Sequence, residues 1–112
     1  MAEYIYKICP TALWIEAEEK GVFSGSGIDL TDGYIHFSTA AQTAQTLALH
    51  FTGKSGLILA QIATDGLAIT WEESRGGQLF PHLYDDLPMS SVTQSWELAV
   101  DEAGLHILPD LS

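Results

Sequence analysis

Positive charge is scarce in this chain. Lys7, Lys20, Lys54 and Arg75 stand against 15 acidic residues and leave a formal net charge of -11. Such a surface repels nucleic-acid phosphates and anionic lipid headgroups, so neither nucleic acid nor a membrane is expected as a partner. A small anionic ligand fits this balance only if backbone N–H groups or a nearby cation meet its charge, which directs attention to Lys7 and Arg75. Cysteine is nearly absent as well. Cys9 alone excludes an internal disulfide, offers no Cys pair to a metal, and has no neighbouring pattern that marks an activated thiol. The four histidines show no His-x-x-x-His or His-x-Glu spacing, so no metal is expected. No apolar run reaches the length of a membrane span, and Met1-Ala2-Glu3-Tyr4 lacks the basic and apolar regions of a signal peptide; the expected location is cytoplasmic. Ser38 stands in Phe-Ser-Thr with no Gly-x-Ser-x-Gly elbow, which argues against a hydrolase nucleophile.

What is present suits one globular domain, residues 1–112, with 46% hydrophobic residues. Tyr4, Tyr6 and Ile8 alternate with Ile5, Lys7 and Cys9, a strand that Pro10 ends. Thr11 is placed to cap a helix from about Ala12 to Lys20, with Leu13, Trp14 and Ala17 inward and Gly21 at its end. Ser24-Gly25-Ser26-Gly27 reads as a loop and Asp32-Gly33 as a turn. A second helix is expected from about Ala40 to Phe51, with Ala44, Leu47, Ala48 and Phe51 inward. Leu57 to Ala63 is nearly continuous apolar sequence, the mark of a central strand. Leu67 to Glu72 and Val92 to Val100 alternate as strands, while Pro81 assigns Leu79 to Tyr84 to an edge or extended loop. Asp85 to Pro88 reads as a turn, and Leu105 to Leu108 as a short edge strand. Two early helices followed by a strand-rich second half predict a compact α+β domain, with two principal helices packed on a mainly antiparallel sheet.

The stretch Asp32-Gly33-Tyr34-Ile35-His36-Phe37-Ser38-Thr39 runs strand pattern directly into a helix start. Thr39-Ala40-Ala41-Gln42 fits a capping box. Unpaired N–H groups and the helix dipole attract anions to such a start, so His36 is expected to face a phosphate or carboxylate, or else to serve as a structural residue beside the cap. Further along, Trp71-Glu72 ends a strand at the sheet margin, and Phe80, His82 and Tyr84 alternate close together.

The motifs Ile5-Tyr6-Lys7-Ile8, Trp14, Gly33 to Gln42, Thr46, Trp71-Glu72 and Phe80-Pro81-His82-Leu83-Tyr84 resemble the bacterial and plant proteins grouped as domain of unknown function nine hundred and fifty-two. The resemblance covers nearly the full length. It implies an ADP-ribosyltransferase-like fold, in which NAD lies between a basic or His residue of the first strand, a second-strand motif, and a later acidic or polar residue. By position, Lys7 faces the ligand from the first strand, where no His or Arg occurs. His36, Ser38 and Thr39 form the second motif, and Glu72 or His82 the third. The implied site has Glu72 and His36 as catalytic residues, with Lys7, Ser38, Thr39, Arg75, Phe80, His82 and Tyr84 binding an anionic, nucleotide-like ligand; NAD is the candidate substrate. A noncatalytic small-metabolite or nucleotide binding module needs the same pocket without a well-placed acid. A protein-interaction domain would use the Trp and Tyr side chains.

Overall fold

A computed structural model describes residues 3–73 and 75–111, with the Arg75 side chain outside the described set. Strand β1 (Tyr4–Pro10) passes straight into helix α1 (Thr11–Lys20). Thr11 is not the cap. Pro10 holds that position, and the Thr11 N–H donates instead to the Gly56 carbonyl at 2.8 Å. Gly21, in the left-handed conformation, closes the helix by donating to Ala17. Trp14 and Ala17, three positions apart on one face, are buried; Leu13, expected beside them, is 39% exposed because it lies one step around the helix.

After strand β2 (Val22–Phe23), a short helix α2 (Ile28–Asp32) occupies part of the stretch that reads as loop and turn. Five residues are too few for apolar periodicity to announce a helix. Gly33, at φ 86°, caps it and donates to the Asp29 carbonyl. Strand β3 (Ile35–His36) leads to a 3-10 turn (Ala40–Gln42) and helix α3 (Thr43–His50). The expected capping box forms, Gln42 Oε1 accepting the Thr39 N–H at 3.0 Å. Helix α3 buries Thr43 and Leu47, whereas Ala44 and Ala48 face outward. Of the stripe read in the sequence, Leu47 is buried and Phe51 packs against the same core cluster, while the two alanines do not.

The remaining strands are β4 (Leu57–Ala63), β5 (Ile69–Glu73), β6 (Leu79–Leu83), β7 (Leu87–Pro88), β8 (Val92–Val100) and β9 (His106–Ile107). All pairings between strands are antiparallel. They form sheets of order β1-β4-β8-β9 and β3-β6-β5, with a small β2-β7 ribbon where the sequence suggests a loop entry and a turn. Tyr6 and Ser38 exchange backbone hydrogen bonds at 2.8 Å in both directions, which joins the two larger sheets along β1.

Pro81 lies in the centre of its sheet, not at the edge its chemistry suggested. The Pro81 carbonyl accepts the Phe37 N–H at 3.0 Å, just past the last β3 pair, His36 with His82. The N–H and C=O of a strand residue point the same way, so the donor that proline lacks falls where the β3 ladder has already ended. The core lies on both faces of β1 and β4. Ile5, Cys9, Trp14, Phe23, Ile58, Ile62 and Leu83 fill one side; Tyr6, Ile8, Leu47, Leu59 and Leu98 fill the other. Burial also pushes the Cys9 thiol up to about 11, as befits an inert core residue. The result is one α+β domain with mainly antiparallel sheets. No helix among the described residues is long and apolar enough to cross a membrane.

Candidate functional site

Strand β3 is short, and its free side faces α2 and β1. From α2, Asp29 accepts the His36 backbone N–H at 3.0 Å and the His36 ring Nδ1 at 2.6 Å, both on Oδ1. A carboxylate only accepts, so Nδ1 carries a proton. From β1, Lys7 Nζ lies 2.7 Å from Asp29 Oδ2 and donates to the His36 carbonyl at 2.9 Å. The Ser26 N–H completes the carboxylate's partners at 3.0 Å. Asp29 and Lys7 are 2% and 6% exposed. Burial pushes the Asp29 carboxyl up, but the His36 hydrogen bond, the Lys7 charge and hydrogen bond, and the Ser26 N–H outweigh it and hold the group at about 2. On the outer side, His36 Nε2 lies 3.0 Å from Asp32 Oδ2.

A second set of groups meets the first through aromatic rings. The pairing of His36 with His82 across β3 and β6 places their ring centroids 5.2 Å apart. Tyr34 covers both, at 4.5 Å from His36 and 4.4 Å from His82, and also lies 4.8 Å from Tyr84. On β5, Thr70 stands opposite His82 and Phe80 opposite Glu72, so Glu72 reaches His82 diagonally. Glu72 Oε1 receives His82 Nδ1 at 2.8 Å and the Tyr84 hydroxyl at 2.6 Å. These bonds, Tyr84's first, pull the Glu72 carboxyl below its usual range, and the same contact pushes the Tyr84 phenol up to about 12. The Tyr34 phenol is raised by burial and then by the Asp32 and Glu72 charges.

Beside this cluster opens a cleft of about 650 Å³, whose walls include Tyr34, Tyr84, Leu30, Leu67 and Leu83, with Asp29, Asp85 and Asp86 as its carboxylates. His36, His82 and Glu72 are not in its lining and border it through Tyr34 and Tyr84. Among the described residues no group of three or more His, Cys, Asp and Glu side chains is placed to hold a metal ion.

The family described as "Protein of unknown function (DUF952)" matches residues 8–95. The chain belongs to this family. Among solved structures, this DUF952 chain is similar to the X-ray crystal structure of protein CC0527 from Caulobacter crescentus: 42% identity, 93% of each chain covered, TM-score 0.87. It is also similar to the solution NMR structure of CC0527, at 42% identity over 91% of this chain and 90% of that one, with a TM-score of 0.81. No curated protein matches it.

Of the residues singled out in this DUF952 sequence, the structure brings together His36, Glu72, His82 and Tyr84, with Lys7 behind His36. Two others lie elsewhere: the Ser38 hydroxyl is 3.0 Å from that of Thr46, and the Thr39 N–H belongs to its cap. Phe80 is buried opposite Glu72, on the same strand as His82. Arg75 was the other candidate cation, and its side chain falls outside the described residues. His36 faces two of the chain's own carboxylates, Asp29 and Asp32. Sequence reasoning missed Asp29, because it falls in the unannounced helix. It also passed over Tyr34, although that residue stands in the same alternating stretch as His36.

Proposed function

We propose that the protein binds NAD, or a closely related nucleotide, against the Tyr34 cluster and acts as an ADP-ribosyltransferase-like enzyme. Glu72 stabilises the positive charge that develops on the ribose as the nicotinamide bond breaks. The observation that carries this reading is the double donation onto one Glu72 oxygen, from Tyr84 at 2.6 Å and His82 at 2.8 Å. Two donors fix the carboxylate in place and favour its ionised form, while neither engages Oε2. A charged, pre-oriented acceptor of this kind needs no reorganisation when a cation forms beside it. The cleft adds a preference of its own. Tyrosine rings with Asp85 and Asp86 nearby suit a planar cation such as the nicotinamide ring, and Lys7 is already committed to Asp29, so the diphosphate belongs outside the cleft.

That commitment of Lys7 also favours a second reading, a noncatalytic module that takes a neutral or cationic small metabolite in the same cleft. Titration calorimetry with NAD, ADP-ribose and nicotinamide mononucleotide, together with chromatographic detection of released nicotinamide, separates the two. For the enzyme, Glu72→Gln retains binding and loses roughly 10²–10³-fold in cleavage. Binding without cleavage by either protein supports the module. No binding of any of these at millimolar concentration rejects the NAD site.

A further inference from the structure

We infer that the cleft beside Tyr34 and Tyr84 is a binding site for a weakly hydrated organic cation whose nitrogen carries no N–H, a quaternary ammonium or an N-alkylpyridinium. This rests on the reading above that the cleft is the ligand site, and names the chemistry it selects. No lysine, arginine or histidine stands among the described residues that line it, whereas Asp29, Asp85 and Asp86 do. Leu30, Leu67 and Leu83 supply apolar wall, and at about 650 Å³ the space falls within the range of small-molecule sites.

The neighbouring positive charges that would oppose a cation are already paired. Lys7 lies 2.7 Å from Asp29, and His36 faces Asp29 through Nδ1 at 2.6 Å and Asp32 through Nε2 at 3.0 Å. Both His36 contacts are to carboxylate oxygens, which only accept, so both ring nitrogens carry protons in this arrangement. Two cations therefore meet two carboxylates, with no net charge left over. That leaves Asp85 and Asp86, exposed and in no salt bridge among the described residues, to set the sign of the cleft.

The rings add an attraction that depends on charge. A cation over the face of a tyrosine is drawn to the negative face of its quadrupole. Tyr84, 52% exposed, donates its hydroxyl to the Glu72 carboxylate at 2.6 Å; a phenol bonded to an anion holds more electron density in its ring, which strengthens that pull. Tyr34 belongs to the same wall, its ring 4.8 Å from that of Tyr84. The acceptors favour a nitrogen without N–H. Asp29 has both oxygens engaged, Oδ1 by His36 and Oδ2 by Ser26 and Lys7, so it offers nothing to an ammonium. A primary ammonium must shed strongly held water against leucine and tyrosine, while an alkylated nitrogen has little to shed. The pyridinium ring of NAD meets the same description.

The test needs neither NAD nor activity. In an NMR titration of the wild-type chain, choline and the N-methylpyridinium ion should shift the backbone amides of Gly33, Tyr34, Ala68 and Tyr84. Choline should bind roughly 5–30-fold more tightly than dimethylbutanol, its neutral isostere with carbon in place of nitrogen. Equal affinity for the two overturns the inference, and butylammonium binding as tightly as choline overturns the preference for alkylated nitrogen. Asp85→Asn with Asp86→Asn, changed only at exposed side chains, should lose most of the preference for choline while leaving dimethylbutanol unaffected. Tyr84→Leu, which keeps an apolar wall, should lose it as well. An unchanged preference in both variants overturns the assignment to this cleft. NAD bound with no shift from either free cation overturns this inference and leaves the nucleotide site standing; cation binding without NAD binding does the reverse.

Discussion

One oxygen of Asp29 accepts both the backbone N–H and the ring Nδ1–H of His36, at 3.0 and 2.6 Å. A single buried atom therefore sets the main chain and the ring of the same residue. Removing it releases both, and leaves Lys7 buried without its counter-charge.

Asp29→Ala and Lys7→Ala should each lower unfolding free energy by about 3–5 kcal/mol, because either truncation strands a buried charge. Replacing both with apolar residues, Lys7→Met with Asp29→Leu, should lose much less than the sum. Urea denaturation of the two single variants and the double variant measures this coupling, and simple additivity would show that the two charges do not depend on each other.

Acid should act through the same carboxylate. Asp29 sits at about 2 in the folded chain against an ordinary 3.8. Above the ordinary value the group is ionised in both states and its stabilisation is complete. As the pH falls below that value the unfolded chain takes up the proton first, so stability declines until the folded group is protonated near 2. The loss across this window is about 2.5 kcal/mol. Stability curves of wild type and Asp29→Asn between about pH 5 and pH 2 should converge at the acid end; parallel curves would contradict the assignment.

Tyr84 reports on Glu72. Its phenol is pushed up to about 12, first by the hydrogen bond to that carboxylate. Glu72→Gln removes the charge and should bring Tyr84 back toward the ordinary tyrosine value, seen by NMR or ultraviolet titration. A Tyr84 titration identical in both proteins would mean that the contact does not persist in solution.

Gly25 stands against the back of Asp29. A Cβ added there would lie 2.9 Å from the Asp29 Cβ, at a φ of 117° that side chains rarely adopt. Gly25→Ala should cost roughly 2–4 kcal/mol, strain and overpacking together, and should displace Asp29 from His36. Loss of the downfield His36 ring proton alongside the loss of stability is the expected pair of results. Gly33→Ala, where the added carbon meets nothing within 4 Å, should cost only about 1 kcal/mol of backbone strain.

Much of this fold is legible in the residues. Alternation places β1, β5 and β8, the apolar run Leu57 to Ala63 is the central strand it promised to be, and the Thr39 to Gln42 box starts the second helix where expected. The exceptions have separate causes. Pro81 sits in a central strand with its carbonyl bonded to Phe37 where the β3 ladder ends, and α2 is too short to show a period.

The sequence by itself determined the longer elements, because side-chain periodicity, caps and glycines act over a few neighbouring residues. It also supplied His36, Glu72, His82 and Tyr84 as polar groups on strand-like stretches. Only the tertiary structure decided what they meet. The pairing of β3 with β6 brings His36 to His82, and the pairing of β5 with β6 brings Glu72 to His82 and Tyr84. Lys7, read as a hand held out to a ligand, is instead bound to Asp29 from a segment 22 residues later, since a lone cation carried into the core by β1 must find its counter-charge there. That choice of partner depends on how separate elements pack, which no local pattern encodes.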